Sequence, residues 1–153
     1  MNKVLLAYAS MSGNTEAIAD VIEEVLVEEK LTVNRLEVFD LTPEDIRDFD
    51  YIILGSYTWG DGELPDEFLD FYDEMDDIDF SQKKVAIFGS GDMAYDIFCG
   101  AVDLLEEKVQ SQGGTLMTEG LKVELAPYGE DVEKCKAYAL NIAANIIKEV
   151  KNR

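Results

Sequence analysis

The run Lys3-Val4-Leu5-Leu6-Ala7-Tyr8 leads through Ala9-Ser10-Met11-Ser12-Gly13-Asn14-Thr15 into Ile18, Val21, Ile22 and Val25, and its reading decides the fold. The first six residues are a short, nearly continuous apolar run, the pattern of a strand covered on both faces. The last four recur at helical spacing, with Glu16, Asp20, Glu23 and Glu24 elsewhere on the cylinder. Small polar residues and one glycine join the two. A strand passes through a tight loop directly into an amphipathic helix.

The same unit repeats along the chain. Strands are predicted over 3–8, 31–38, 51–55, 84–88 and 115–123. Phe68, Phe71, Tyr72 and Met75 mark one intervening helix, Phe98, Ala101, Val102 and Leu105 the next, and Cys135, Tyr138, Ile142 and Ile146 the last. Thr42-Pro43 opens a short helix, with a cap residue followed by proline at the first helical position. Gly113-Gly114 provides a left-handed helix exit. Strict β-α alternation with short links implies parallel strands and right-handed crossovers. The expectation is one α/β domain over residues 1–153: a doubly wound, five-stranded parallel sheet of order 2-1-3-4-5, with helices on both faces. Ligands in such sheets bind beyond the carboxyl ends of the strands, where the order reverses.

Composition narrows the function. Thirteen Lys and Arg against 33 Asp and Glu give a formal net charge of −20. Such a polyanion repels nucleic acid and anionic lipid, and steers toward basic proteins at rates that fall with salt. No window approaches the roughly 18 apolar residues of a membrane span, and residues 1–12 do not read as a secretory leader. Cys99 and Cys135 form no CxxC pair and fall on apolar helical faces, which suits buried thiols in a reducing cytoplasm. The absence of histidine disfavours both a zinc site and triad hydrolysis. Neither a metal nor a catalytic residue is expected.

The loop Ser10 to Thr15 carries no Lys or Arg. It therefore matches neither a nucleoside-triphosphate loop nor a GxGxxG dinucleotide loop. Gly13 permits a tight turn, successive amides can share one concavity, and a helix N-terminus adds partial positive charge. With the hydroxyls of Ser10, Ser12 and Thr15 and the amide of Asn14, this suits one terminal phosphate monoester. A hydroxyl-rich cap, with Ser12 or Asn14 as the capping residue, is the alternative.

Two further loops follow the third and fourth strands. The first reads Gly55-Ser56-Tyr57-Thr58-Trp59-Gly60-Asp61-Gly62-Glu63-Leu64-Pro65, and the second Gly89-Ser90-Gly91-Asp92-Met93-Ala94-Tyr95-Asp96. Trp59 lies past the end of its strand pattern and belongs on the rim, where an exposed aromatic is explained by a flat apolar group to cover. Trp59 and Tyr95 on neighbouring loops can sandwich a planar ring.

Together, Ser10-Met11-Ser12-Gly13-Asn14-Thr15, Thr58-Trp59-Gly60, the GxGDxxY pattern from Gly89 to Tyr95 and Phe98-Cys99-Gly100-Ala101-Val102-Asp103 resemble the short-chain flavodoxins over the whole chain. The resemblance implies a flavodoxin-like fold and one non-covalently bound FMN. In it, Ser10 to Thr15 hold the phosphate, Trp59 covers the inner ring face and Tyr95 stacks on the outer face. Ser56, Tyr57, Thr58, Gly60 and Asp61 belong to the same ring-binding loop, and Asp92 meets the pyrimidine edge with the backbone of Ser90 and Gly91 nearby. Phe98 and Cys99 close the pocket behind. Ile97 departs from relatives that carry a second tyrosine. The resemblance also implies that the Gly60 peptide flips, its carbonyl accepting a hydrogen bond from flavin N5–H.

The implied function is a low-potential, monomeric, cytoplasmic electron carrier rather than an enzyme. It would shuttle single electrons between a ferredoxin/flavodoxin-type NADP reductase and acceptor redox proteins. The acidic run Asp61, Glu63, Asp66, Glu67, Asp70, Asp73, Glu74, Asp76, Asp77 and Asp79 adjoins the tryptophan loop and offers a docking face for basic partners. An NAD(P)H-dependent FMN oxidoreductase is the enzymatic alternative. It is disfavoured by Tyr95 over the outer ring face and by the acidic surroundings. A phosphorelay receiver fails outright, because Ala9-Ser10 and Ser56-Tyr57 stand where its aspartates belong.

Overall fold

The computed structural model describes residues 3–94 and 97–152. In chain order the elements are β1 (Lys3–Ala9), α1 (Asn14–Glu28), β2 (Thr32–Glu37), α2 (Pro43–Asp48), β3 (Tyr51–Tyr57), α3 (Asp66–Glu74), β4 (Lys84–Gly91), α4 (Gly100–Ser111), β5 (Thr115–Leu116), β6 (Leu121–Glu124) and α5 (Glu130–Lys151). All strand pairings between these elements are parallel, in the order β2-β1-β3-β4-β5. That is the order the alternation predicts.

The fifth position differs from the expected continuous strand over 115–123. It is filled by two segments: β5 pairs with Lys84 and Val85, and β6 pairs with Phe88 to Gly91. From Leu116 to Leu121 the chain takes five steps while β4 takes three from Val85 to Phe88, so two extra residues loop out. Gly120 explains where they go. Its N–H donates to Glu106 Oε2 on α4 at 3.0 Å, and a Cβ there would lie 2.6 Å from Val102 Cγ1.

Parity along the strands builds the two faces. Leu5, Ala7, Ile52, Leu54, Val85 and Ile87 join Ile46 of α2, Phe68 and Phe71 of α3, and Val102 and Leu105 of α4 in one core. Val4, Leu6, Tyr51, Ile53, Ala86 and Phe88 join Ile18, Ile22 and Leu26 of α1 and Cys135, Ala139 and Ile142 of α5 in the other. Alternate residues point to opposite faces, so a sheet covered on both sides needs apolar residues at every position. Each fully buried aliphatic or aromatic side chain contributes about 1.5–3 kcal/mol.

Three boundaries differ from the sequence reading in ways that bear on function. Strands β3 and β4 run on to Tyr57 and Gly91, past the predicted ends at 55 and 88, because Ser56 and Tyr57 stay paired with Gly89 and Ser90. Helix α4 begins at Gly100, after Phe98. The cause is Cys99, whose φ of 53° is left-handed and cannot continue a helix. Two helix signals hold: Thr42 and Asp45 form a reciprocal capping box on α2, and Gly113 leaves α4 with φ of 90°.

Arg35 of β2 secures α1 against the sheet. Its guanidinium pairs with Asp20 at 2.8 Å and Glu23 at 2.9 Å, donates to the Tyr8 hydroxyl at 3.1 Å and lies 5.0 Å from the Tyr8 ring centroid. The direction of α1, and so of its N-terminus, is thereby fixed by both packing and charge.

Gly55 lies directly opposite Phe88 in the ladder, and a Cβ there would fall 2.1 Å from the phenyl ring's Cζ. Gly55→Ala is expected to destabilise the fold by about 1–3 kcal/mol through overpacking. The check is urea unfolding, with a lower midpoint and an unchanged slope.

Candidate cofactor-binding site

The register delivers three loops to one edge. Ala9 pairs with Ser56 and Tyr57 with Ser90, so the chain leaves β1, β3 and β4 at nearly the same height. This is the point at which the strand order reverses.

At the end of β1 the helix cap is Gly13, with φ of 88° and no side-chain capping bond. Neither Ser12 nor Asn14 caps α1; the loop hydroxyl that meets its first turn is that of Ser10. Ser10 Oγ accepts from Glu16 N at 3.2 Å. A Cβ at Gly13 would meet nothing within 4 Å, so left-handed geometry, not crowding, requires glycine here. Ser12 and Gly13 are exposed and Asn14 half-buried, around the open N-terminus of a 15-residue helix. That combination favours an anion.

Thr15 does something different from the rest of its loop. It is fully buried, and its Oγ1 lies 2.8 Å from the buried Ser90 Oγ on β4. The hydroxyl that reads as a phosphate donor is thus also a tie between the first and third loops.

The loop after β3 is built as a tight bridge. Trp59 N donates to Glu63 O at 2.7 Å and Glu63 N to Trp59 O at 2.8 Å, while Gly60 and Gly62 take positive φ of 50° and 96° between them. Thr58 connects outward on both sides: its N–H donates to Ser90 O at 3.1 Å, and its Oγ1 accepts from Ala101 N at 3.2 Å in the first turn of α4. Trp59 is 53 % exposed, on the rim as its sequence position predicts. Asp61 is exposed.

Tyr57 and Ser56 belong to β3, not to a loop. Ser56 is buried, and its hydroxyl donates to Tyr57 O at 2.7 Å. Tyr57, Met11, Trp59, Asp66 and Glu67 line a cavity of about 250 Å³. Burial first, then the neighbouring Glu67 and Asp66 carboxylates, hold the Tyr57 phenol well above its ordinary pKa. It is a neutral donor at any physiological pH.

In the loop after β4, Asp92 Oδ1 accepts from Ala94 N at 2.9 Å, so this carboxylate shapes its own turn. Glu124 Oε2 accepts from Met93 N at 3.2 Å, a contact absent from the sequence reading. Tyr95 lies outside the described residues. Phe98 packs, partly buried, on the α2–α4 core. Cys99 is fully buried, with Sγ 3.8 Å from both Gly89 O and Val123 O, and burial pushes its thiol up to about 11. It packs as a protonated thiol behind the ends of β4 and β6. Gly91 must be glycine for that reason: a Cβ would lie 2.9 Å from Cys99 Sγ.

Sequence reasoning missed Gly62 and Gly100. A Cβ on Gly100 would lie 2.6 Å from Gly62 O, and one on Gly62 would lie 2.8 Å from Ile97 Cγ2. The visible signal was a second glycine in the tryptophan loop and a glycine opening a helix, neither of which names its partner.

The flavodoxin family model matches residues 6–138. The chain is 53% identical over 135 residues to probable flavodoxin 2 of Bacillus subtilis, covering 88% of this chain and 89% of the relative. The chain belongs to the flavodoxin family. Probable flavodoxin 1 of Bacillus subtilis is 46% identical over 145 residues, covering 94% of this chain and 92% of its own. The crystal structure of oxidised flavodoxin 2 from Bacillus cereus superposes with a TM-score of 0.90 at 53% identity, covering 93% of this chain and 98% of that one.

As a short-chain flavodoxin, the chain binds FMN and works as an electron carrier, not as an enzyme. The residues present suit that cofactor. They combine a glycine-capped helix N-terminus and hydroxyl donors with a half-exposed tryptophan held on a rigid bridge. Among the described residues no cluster of metal-ligating side chains occurs, and no helix is long and apolar enough to cross a membrane.

The Thr15–Ser90 bond yields a stability test. Removing one hydroxyl leaves its buried partner unsatisfied, at about 1–3 kcal/mol. Thr15→Val and Ser90→Ala should each destabilise the apoprotein by that order, and the double variant by less than their sum. Urea unfolding of the four-protein cycle measures the coupling.

Proposed function

We propose that this flavodoxin holds FMN at the residues its sequence singles out, and that residues 1–153 act as one domain. The open, glycine-capped N-terminus of α1 carries the reading. Its first-turn amides, with the hydroxyls of Ser10 and Ser12 and the amide of Asn14, bind the FMN phosphate as neutral donors aided by the helix dipole. Trp59 covers one face of the ring, and Tyr95 is assigned to the other. The backbone of Ser90 and Gly91 and the side chain of Asp92 meet the polar ring edge. Ser56, Tyr57, Thr58 and Asp61 shape and support the tryptophan loop. Phe98 and Cys99 exclude water from behind.

FMN, when bound, supplies one-electron redox chemistry. The chain's part is to bind, shield and tune it. Gly60 gives the tryptophan loop a peptide that can turn its carbonyl toward flavin N5–H and hold that proton. The low-dielectric slot, the surrounding carboxylates and the lack of a cation in the three loops disfavour added negative charge on the ring. The last electron is therefore held at low potential.

The partners we propose are basic redox proteins: a ferredoxin/flavodoxin-type NADP reductase as donor and downstream acceptors, met by a monomer in the cytoplasm. Asp66, Glu67, Asp70, Asp73, Glu74 and Asp77 are all exposed on and just beyond α3. One offset was not evident from that stretch alone: Lys108 of α4 ion-pairs with Asp76 and sits 4.3 Å from the Tyr72 ring centroid. The remaining carboxylates supply long-range attraction.

Four measurements test this reading. Riboflavin, which lacks the phosphate, should bind at least ~100-fold more weakly than FMN, since several charge-assisted bonds of about 1.5–3 kcal/mol each are lost. Gly13→Val should weaken FMN by roughly tenfold, because a β-branched residue resists left-handed geometry by about 1–2 kcal/mol. Equal affinity for the two flavins would remove the phosphate site from α1. In a redox titration Gly60→Val should narrow the gap between the two one-electron potentials, and an unchanged gap would sink the role given to that peptide. Reduction by a basic NADP reductase should slow steeply between low and high salt. A flat dependence, or NADPH oxidation by this protein alone, would overturn the carrier–partner reading.

A further inference from the structure

The tryptophan loop contains two glycines with different reasons for being there. At Gly60 an added Cβ would meet nothing within 4 Å, so only its φ of 50° calls for glycine. At Gly62 a Cβ would fall 2.8 Å from Ile97 Cγ2 and 3.1 Å from Ile97 Cβ. Gly100, the first residue of α4, would drive a Cβ to 2.6 Å from Gly62 O and 2.7 Å from Gly62 Cα. Glycine is a poorer helix former than alanine, and at the opening of α4 the backbone of Gly62 leaves no room for a Cβ.

We propose that Gly62, Gly100 and Ile97 form a clamp that fixes the tryptophan loop against the start of α4 and confines its freedom to the Gly60 peptide, making Gly100 and Ile97 positioning residues for the redox step at FMN.

Three sets of contacts hold the loop. Thr58 is tied to Ser90 O and to Ala101 N. Trp59 and Glu63 are tied to each other. Gly62 is seated on Gly100 and under Ile97. Between the last two attachments lies a short arc in which Gly60 alone combines open space with left-handed backbone. A loop anchored this way can turn one peptide without displacing Trp59. An unanchored loop with two glycines would disperse the same motion over every residue and lose more entropy on adopting either arrangement.

The clamp also joins two loops. Ile97 belongs to the segment after β4, which re-enters the core at Cys99, and it is 50 % exposed. Ile97 is therefore the side chain through which the second loop meets the tryptophan loop. Strain introduced at either loop passes to the other through this contact.

The proposal rests on FMN binding at these loops, and the experiment separates the two. Gly100→Ala inserts the clashing methyl group while favouring the helix itself, and Ile97→Ala removes the wedge from a half-exposed position. In the apoprotein, both variants should raise amide hydrogen exchange at Trp59 and Glu63 at least tenfold, with the amides of Leu6 and Ile53 in the sheet unaffected. In FMN-loaded protein, Gly100→Ala should move the first one-electron equilibrium at least tenfold, about 59 mV, and Ile97→Ala should move it in the same direction. Unchanged exchange at Trp59 and Glu63 overturns the clamp. Faster exchange with an unmoved first potential overturns the positioning role. Failure of the unaltered protein to take up FMN overturns the assigned cofactor site and with it the redox role, while exchange in the apoprotein still decides whether the clamp exists. Should Gly100→Ala fail to fold, Ile97→Ala gives both readouts.

Discussion

The register between β1, β3 and β4 is the constraint on which the rest of the molecule depends. A parallel ladder aligns strand ends only when both faces of every strand are buried in the same frame, because a one-residue slip would send each side chain to the opposite face. Here Leu5, Ile52 and Val85 face one core while Val4, Tyr51 and Ala86 face the other. With that frame fixed, Ala9 lies beside Ser56 and Tyr57 beside Ser90. Three loops that are dozens of residues apart in sequence are then neighbours, with no side chain of their own needed to bring them together.

What the loops add is rigidity. The Thr15–Ser90 hydroxyl pair, the Thr58 contacts to Ser90 and Ala101, and the seating of Gly62 on Gly100 connect each loop to another or to α4. An electron carrier gains from such stiffness, since a site that must reorganise around each electron slows the transfer. The exposed parts include the glycine-capped end of α1, the Trp59 side chain and Gly60. Cys99, left-handed just before α4, is fully buried, and that burial holds its thiol protonated.

Charge acts at longer range and independently of this geometry. Most carboxylates of the run from Asp61 to Asp79 point to solvent, and only Asp76 has a described ion-pair partner on another element. They contribute little to stability individually. Their sum is a field beside the tryptophan loop.

The sequence by itself determined the sheet order, the β-α alternation, the three loops at one edge of the sheet and the exposed place of Trp59. Each of these follows from local periodicity and turn chemistry, which are written in neighbouring residues. It also fixed the family through motifs whose order and spacing survive without coordinates. Only the tertiary structure decided that Thr15 turns inward to Ser90, that Tyr57 faces Glu67, that Gly13 and not Ser12 or Asn14 caps α1, and that the fifth strand breaks at Gly120. It alone matched Gly62 to Gly100 and Ile97. The reason is physical: those outcomes depend on which surfaces meet across the sheet edge, at separations of tens of residues. A single chain's sequence records that a glycine or a hydroxyl is present there, but not the atom that comes to rest against it.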